Sequence, residues 1–297
     1  MGGGSAVTRK LLLLGAKGML ARKVAEKASR EYTVIPLDLP EFDITDRTQV
    51  LDRLTSLRPE VIINCAAFTQ VDRCETEEAL ASRVNGEAVG FLAEGAKAVD
   101  ATLVHISTDY VFSGEQTRPY REDDPTGPQS AYGRSKLLGE QALLASGLEK
   151  YFIVRTSWLY GPGGNNFVET IIRLAKEREA LRVVADQVGS PTYTADLAEA
   201  IFALLGLADQ PYGLIHFANE GECSWHEFAV EIVAMARRCG EPIVSRSIQP
   251  IATDEYPLPA KRPGYSVLSK GKYRQMTGAA IPHWKESLVR YFDERLR

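Results

Sequence analysis

The stretch KLLLLGAKGMLARKVAEKAS, residues 10–29, decides the fold. Four consecutive leucines form an apolar run that is too short to cross a membrane and suits a strand buried on both faces. Gly15 and Gly18 interrupt it, and MLARKVAEKAS then carries apolar residues at helical spacing. Strand, glycine turn and helix in that order open a βαβ unit. Gly15 can make the tight turn, Gly18 lets backbone approach a pyrophosphate, and the small Ala21 permits close helix packing. Free N–H groups and the positive end of the helix would meet phosphate there, with Lys17, Met19 and Leu20 bordering it. The spacing is GxxGxxA and not the usual GxGxxG, so by itself it reads equally as a plain connecting turn.

Outward from that unit, short apolar runs alternate with helical patterns. The strands are YTVIPLD (32–38), EVIINCAA (60–67), TLVHIST (102–108), YFIVRTS (151–157) and GLIHFAN (213–219). Between them lie TQVLDRLTSL, one helix over roughly 77–99, the helix containing Tyr132, and TADLAEAIFALLGL. This predicts an α/β chain with a Rossmann-like, doubly wound parallel sheet covered on both faces. The break YGPGGNN opens a second region, and Pro257, Pro259 and Pro263 rule out one long regular element near the end. The expected division is a dinucleotide-binding domain over 8–160, continued by 186–220. A smaller, discontinuous C-terminal substrate-binding domain over 161–185 and 221–297 forms one wall of a cleft.

With 297 residues, 44% hydrophobic and 25% charged, the chain can bury a sizeable core. A formal charge of −4 gives no global attraction to nucleic acid or to an anionic membrane. The four cysteines, Cys65, Cys74, Cys223 and Cys239, make no CxxC pair, which points to a reducing, cytoplasmic setting. Cys65, after an apolar run, reads as a buried thiol. The four histidines, His105, His216, His226 and His283, lack metal-ligand spacing, and CSWHEF reads as a helix cap, so no metal is expected. MGGGSA reads as a flexible leader.

Asp38 ends the second strand, where a carboxylate can accept the adenosine ribose hydroxyls of a nicotinamide cofactor. It favours NADH over NADPH, although Lys17 or Arg22 could offset that charge, so NADPH or NADH stays open. Asp43 and Ile44 are placed to border the adenine, while Asp46 could equally cap the next helix. Ala66 and Ala67 would let a flat cofactor cross the sheet edge, with Thr69 and Val71 near the nicotinamide or sugar. Asn85 is either a solvent-facing polar residue or a support for that loop. Ser107 and Thr108 end the fourth strand. Tyr132 and Lys136, at i and i+4, share one helix face. A phenol that delivers a proton to a carbonyl receiving hydride needs a stabilised conjugate base, and the neighbouring ammonium is expected to supply it. Lys136 can also anchor the nicotinamide ribose, and Thr108 can hydrogen-bond the same carbonyl.

On these residues the chain resembles the extended short-chain dehydrogenase/reductase superfamily, and more closely the dTDP-4-dehydrorhamnose reductase family. HISTDYVFSG, SAYGRSKLLGEQAL, RTSWLYGPGGNNFV, LRVVADQVGSPTYTADLA and LPAKRPGYSVL are similar to that family's blocks, across almost the whole chain. The resemblance implies NAD(P)H-dependent reduction of the C4 ketone of dTDP-4-dehydro-L-rhamnose to dTDP-L-rhamnose. It makes Tyr132 the general acid, with Lys136 and Thr108 as its partners. Val71, Thr108, Asp109, Trp158, Asn165, Asn166 and Phe167 would meet the nucleotide sugar. Arg262, or Lys261 in its place, would face the diphosphate. Asp186, Gln187 and Pro191 would position their loop more than touch ligand.

Related dehydratases carry a glutamate where this chain has Tyr110, which favours simple reduction. An epimerase, a reductase of another nucleotide-linked 4-keto-6-deoxy sugar, and a non-catalytic NADP-binding regulatory subunit are the rival readings. The retained SWLYG, GNNF and KRP segments argue against the last. Some family members bind magnesium between subunits through acidic residues. Lys23 and Ala195 stand at those places here, so a monomer or weak homodimer is expected.

Overall fold

A computed structural model of the chain describes residues 9–209 and 211–296. The expected leader and the first residue of the expected cofactor domain lie outside the described residues. The quoted stretch folds as strand β1 (Arg9–Leu14), a glycine turn and helix α1 (Met19–Ala28). Leu11 to Leu14 are all fully buried. Leu11 and Leu13 enter the core on one face of the sheet, Leu12 and Leu14 the core on the other. That alternation follows from the two-residue period of a strand, and it requires helices on both sides.

The main sheet also contains β2 (Tyr32–Leu37), β3 (Val61–Asn64), β4 (Thr102–Thr108), β5 (Tyr151–Thr156) and β6 (Gly213–His216). The six strands are parallel in the order β6-β5-β4-β3-β1-β2. Chain order reverses between β1 and β3, which makes the crevice above their carboxyl ends the place for a ligand. Pro36 is tolerated inside β2 because that strand lies at the sheet edge. Beside α1, helices α2 (Arg47–Leu57), α3 (Ala88–Val99), α4 (Ala131–Ala145) and α6 (Thr194–Leu205) cover the sheet.

The single helix expected over 77–99 is interrupted. Glu78–Ser82 is α-helical, Arg83–Glu87 forms a π-helical turn, and α3 follows. The wide turn carries Asn85, whose amide accepts from Phe68 N at 2.7 Å and donates to Phe68 O at 2.9 Å. Of the two readings of Asn85, the loop support is the observed one.

A third core gathers residues from Tyr160 to Val183, Tyr193, and residues from Cys223 to Phe292. It includes α5 (Phe167–Glu177), α7 (Trp225–Arg238) and α8 (Trp284–Arg295). Strand Ala180–Val184 pairs in parallel with Ser247–Ile251. The second of these strands escaped the sequence reading because SIQPI contains a proline and is mostly solvent-facing. No described helix is long and apolar enough to cross a membrane.

Helix α4 is held on the sheet by polar groups. Glu140, 1% exposed, pairs with Arg155 of β5 at 2.6 Å and accepts from Ser107 of β4 at 2.5 Å. Gly139 lets the helix approach closely, since a Cβ there would lie 2.2 Å from Asn85 O. Removing one member of a buried pair strands the other charge. Glu140→Ala is therefore expected to cost about 3–5 kcal/mol in urea unfolding, and a loss below about 1 kcal/mol would contradict this role.

Candidate active site

A cavity of about 800 Å³ opens along the carboxyl ends of the main-sheet strands. Its floor begins at Gly15, whose φ of +69° brings the turn so close to β3 that a Cβ would lie 2.6 Å from Ala66 N. Only glycine fits there. Gly18 is the N-cap of α1 and offers no side-chain cap, which leaves the first N–H groups of the helix facing the cavity for an anion. The fully buried Ala21 packs beneath the turn. Asp38 stands across from it with both carboxylate oxygens engaged at 2.8 Å, one by Lys17 N and one by Leu39 N. Lys17 Nζ donates to Leu39 O and lies 3.9 Å from Glu41. Arg22 runs towards Gly163, where a Cβ would lie 2.2 Å from its Nη1. Neither cation neutralises Asp38 directly.

Asp43 and Ile44 line the same end, Asp43 accepting from Thr45 N at 2.9 Å. Asp46 caps α2 through Gln49 N at 3.0 Å. Ala66, Ala67, Thr69 and Val71 continue the wall. Cys65 also lines it, but burial pushes its thiol up to about 12, which suits a bystander and not a nucleophile.

At the centre are Ser107, Thr108, Asp109, Tyr132 and Lys136. Ser130 caps α4 by accepting from Gly133 N at 3.1 Å, so Tyr132 sits in the first turn and Lys136 one turn on. Thr108 Oγ1 donates to Asp109 Oδ1 at 3.0 Å and accepts from Tyr110 N at 3.3 Å. The Tyr132 hydroxyl hydrogen-bonds Thr108, and its ring meets Tyr110 edge-on at 5.4 Å.

One expectation needs correcting. Lys136 Nζ donates to Ile106 O at 2.7 Å and lies 3.3 Å from His105 Nε2. It is not among the groups acting on the phenol, whose pKa burial raises against the Thr108 hydrogen bond. Tyr132 is thus a protonated phenol and not an acidified one. Burial also pulls Lys136 down to about 8, against the opposing fields of Glu140 and Cys65.

The far wall is aromatic. Trp158 adopts φ +48°, an uncommon conformation for a bulky residue, and stacks on Trp225 with ring centroids 3.4 Å apart and planes at 7°. Phe167 leans on Trp225 at 4.5 Å, and Asn165 lies beside them on the wall. Two residues expected to meet the nucleotide sugar are tied to protein partners. Asn166 does not line the cavity; it caps α5 by accepting from Glu169 N at 3.2 Å and donates to Gly161 O at 2.9 Å. The Arg262 guanidinium grips Asp72 with two bonds of 3.0 Å. Lys261 Nζ donates to Gln129 Oε1 at 3.2 Å, Asp186 accepts from Thr253, and Gln187 donates to it. Lys23 pairs with Glu26 at 2.7 Å and with Glu294 of α8. Among the described residues no cluster of His, Cys, Asp and Glu could hold a metal ion.

Sequence reasoning missed Trp225, Thr156 and the Asn64–His105 pair. The capping box Ser224/Glu227 marks where α7 starts, and nothing in the sequence sets Trp225 against Trp158.

A glycine-cradled dinucleotide crevice beside a Thr, Tyr and Lys cluster defines the class: the extended short-chain dehydrogenases/reductases. Within it the chain belongs to the dTDP-4-dehydrorhamnose reductase family, whose RmlD substrate binding domain description matches residues 9–297. A dTDP-4-dehydrorhamnose reductase of Burkholderia thailandensis is 41% identical, covering 93% of this chain and 95% of that one. A spore coat polysaccharide biosynthesis protein of Bacillus subtilis is 42% identical, over 96% and 98%. The crystal structure of a Bacillus anthracis dTDP-4-dehydrorhamnose reductase with NADP is 42% identical and superposes with a TM-score of 0.91, over 97% and 100%.

Asp109 offers a test of the site's electrostatics. It is 2% exposed, and burial raises it from 3.8 to about 6 against hydrogen bonds from Ser266 and Thr108. A carboxyl with a raised folded pKa penalises the fold once ionised: the penalty is absent below the unfolded value, grows as pH rises through the folded value, and is full above it. Asp109→Asn should therefore stabilise the protein by about 2–3 kcal/mol at pH 8 and by nearly nothing at pH 4. Denaturant titrations at the two pH values check this, and an equal effect at both would refute it.

Proposed function

We propose that the chain reduces the C4 ketone of dTDP-4-dehydro-L-rhamnose to dTDP-L-rhamnose, using NADPH or NADH. The observation that carries this reading is one cavity joining the Gly15 cradle, the Thr108, Tyr132 and Lys136 cluster, and the Trp158–Trp225 wall. The residues fit the cofactor. Gly15 and Gly18 admit the pyrophosphate, Asp38 faces the adenosine ribose, and Ala66 and Ala67 leave room over the sheet edge. Once bound, the reduced nicotinamide supplies the hydride.

The chain's own residues do the rest. Tyr132, held protonated by burial, donates its proton to the oxygen that becomes the C4 hydroxyl. Thr108 hydrogen-bonds Tyr132 and orients the same oxygen. Lys136 holds the nicotinamide ribose and, when charged, stabilises the phenolate left behind. Val71, Asp109, Asn165 and Phe167 contact the sugar nucleotide, with Trp158 against the sugar. Asn166 supports that wall as the α5 cap, and Arg262 fixes the Val71 loop through Asp72.

The same reading assigns 8–160 with 186–220 to the cofactor domain and the remainder to the substrate domain. The third core supports it for most of its residues, although Tyr160 and Tyr193 also pack there and Tyr273 and Ile281 pack in the main-sheet core. It places the protein in the cytoplasm as a monomer or weak homodimer. Tyr110, in the place of a dehydratase glutamate, leaves no carboxylate base there and favours reduction without loss of water.

The expected result is stoichiometric oxidation of NADPH or NADH with dTDP-4-dehydro-L-rhamnose. In Tyr132→Phe, kcat should fall at least about 100-fold while cofactor affinity stays within about threefold. Undiminished turnover in that variant would remove Tyr132 as the acid.

A further inference from the structure

His105 lies on β4 beside Asn64 of β3, register partners on neighbouring strands, both 1% exposed. Ala66 N donates to Asn64 Oδ1 at 3.1 Å. A backbone N–H can only donate, so the oxygen of this amide must face Ala66, and its NH2 must face His105. Asn64 Nδ2 meets His105 Nδ1 at 3.2 Å, which makes Nδ1 the acceptor. Burial holds His105 neutral, so its single proton sits on Nε2. That N–H points at Lys136 Nζ, 3.3 Å away. An ammonium has no lone pair with which to accept it, whereas a neutral amine accepts it while still donating to Ile106 O at 2.7 Å.

We propose that Asn64 and His105 are a positioning pair that keeps Lys136 a neutral amine, drawn back against β4, until the cofactor is bound. The other charged or titratable groups acting on Lys136 are Glu140, neutralised by Arg155, and the Cys65 thiol. When the cofactor's ribose hydroxyls enter, Lys136 takes a proton from solvent. The resulting ammonium is repelled by the Nε2–H and turns towards the ribose. This rests on the reading of Lys136 as the ribose-binding residue. The pair thereby couples cofactor binding to proton uptake from the floor of the pocket, where Ala66 also borders the nicotinamide path.

The test is nitrogen NMR of the ligand-free protein with labelled imidazoles, His105→Gln assigning its signal among the four histidines. Protonated Nε2 with bare Nδ1 is expected, and protonated Nδ1 overturns the proposal. Above about pH 8, where the buried amine of the free protein is neutral, NADH titrations should show uptake of one proton, with affinity falling about tenfold per pH unit. Asn64→Asp presents a carboxylate that accepts from Nδ1–H, freeing Nε2 to accept from the ammonium. The pH at which affinity begins to fall then rises by about one unit or more. An unchanged break in that variant, despite the switched tautomer, also overturns the proposal. If the variant fails to fold, the wild-type tautomer and proton uptake still decide. Neither readout needs sugar turnover, so absence of reductase activity with the expected tautomer would reject the proposed function alone. Turnover with the wrong tautomer would reject only the pair.

Discussion

The site depends on the buried contact between Arg155 and Glu140. Helix α4 carries both Tyr132 and Lys136, and it is fastened to the sheet by Glu140, which reaches Arg155 on β5 and Ser107 on β4 at once. A buried ion pair adds little net stability, because desolvation offsets most of the attraction. Its value here is positional. Greasy contacts would let α4 slide by fractions of a turn, whereas a two-pronged guanidinium with a hydroxyl beside it accepts one register. That register sets Tyr132 against Thr108 and sets Lys136 beneath the sheet edge.

Charge in the crevice follows from burial more than from pairing. Burial keeps the Tyr132 proton on, holds His105 neutral, and lowers Lys136. A proton donor that starts neutral suits a reduction, since the negative charge appears only as the ketone oxygen is protonated. In the proposed reduction the lysine acts at that moment, its ammonium answering the new phenolate.

The βα repeat was legible because strands buried on both faces must be continuously apolar, and LLLLG and VIIN are. Tyr132 and Lys136 were legible because helical spacing alone puts i and i+4 together. Asn166 and Arg262 show where such reading ends. An asparagine after two glycines looks the same whether it meets a ligand or caps a helix, and Asn166 caps. Arg262 looks like an unpaired cation until the fold brings Asp72 to it from 190 residues away. The expected Lys136 effect on Tyr132 failed for a related reason: spacing places two side chains on one face, but Ile106 O and His105 decide where the amine points. The Trp158–Trp225 stack joins two segments far apart in the chain, and no local pattern announces it.

The central claim is that a protonated Tyr132 and a Thr108 hydroxyl converge on the sugar's C4 oxygen beside the nicotinamide. A crystal structure of the protein with NADP and dTDP-L-rhamnose tests it most directly. The account predicts that both hydroxyls lie within about 3 Å of that oxygen, with the sugar between the nicotinamide and Trp158. A sugar ring seated elsewhere, or a C4 oxygen out of reach of Tyr132 with the cleft closed, would contradict it.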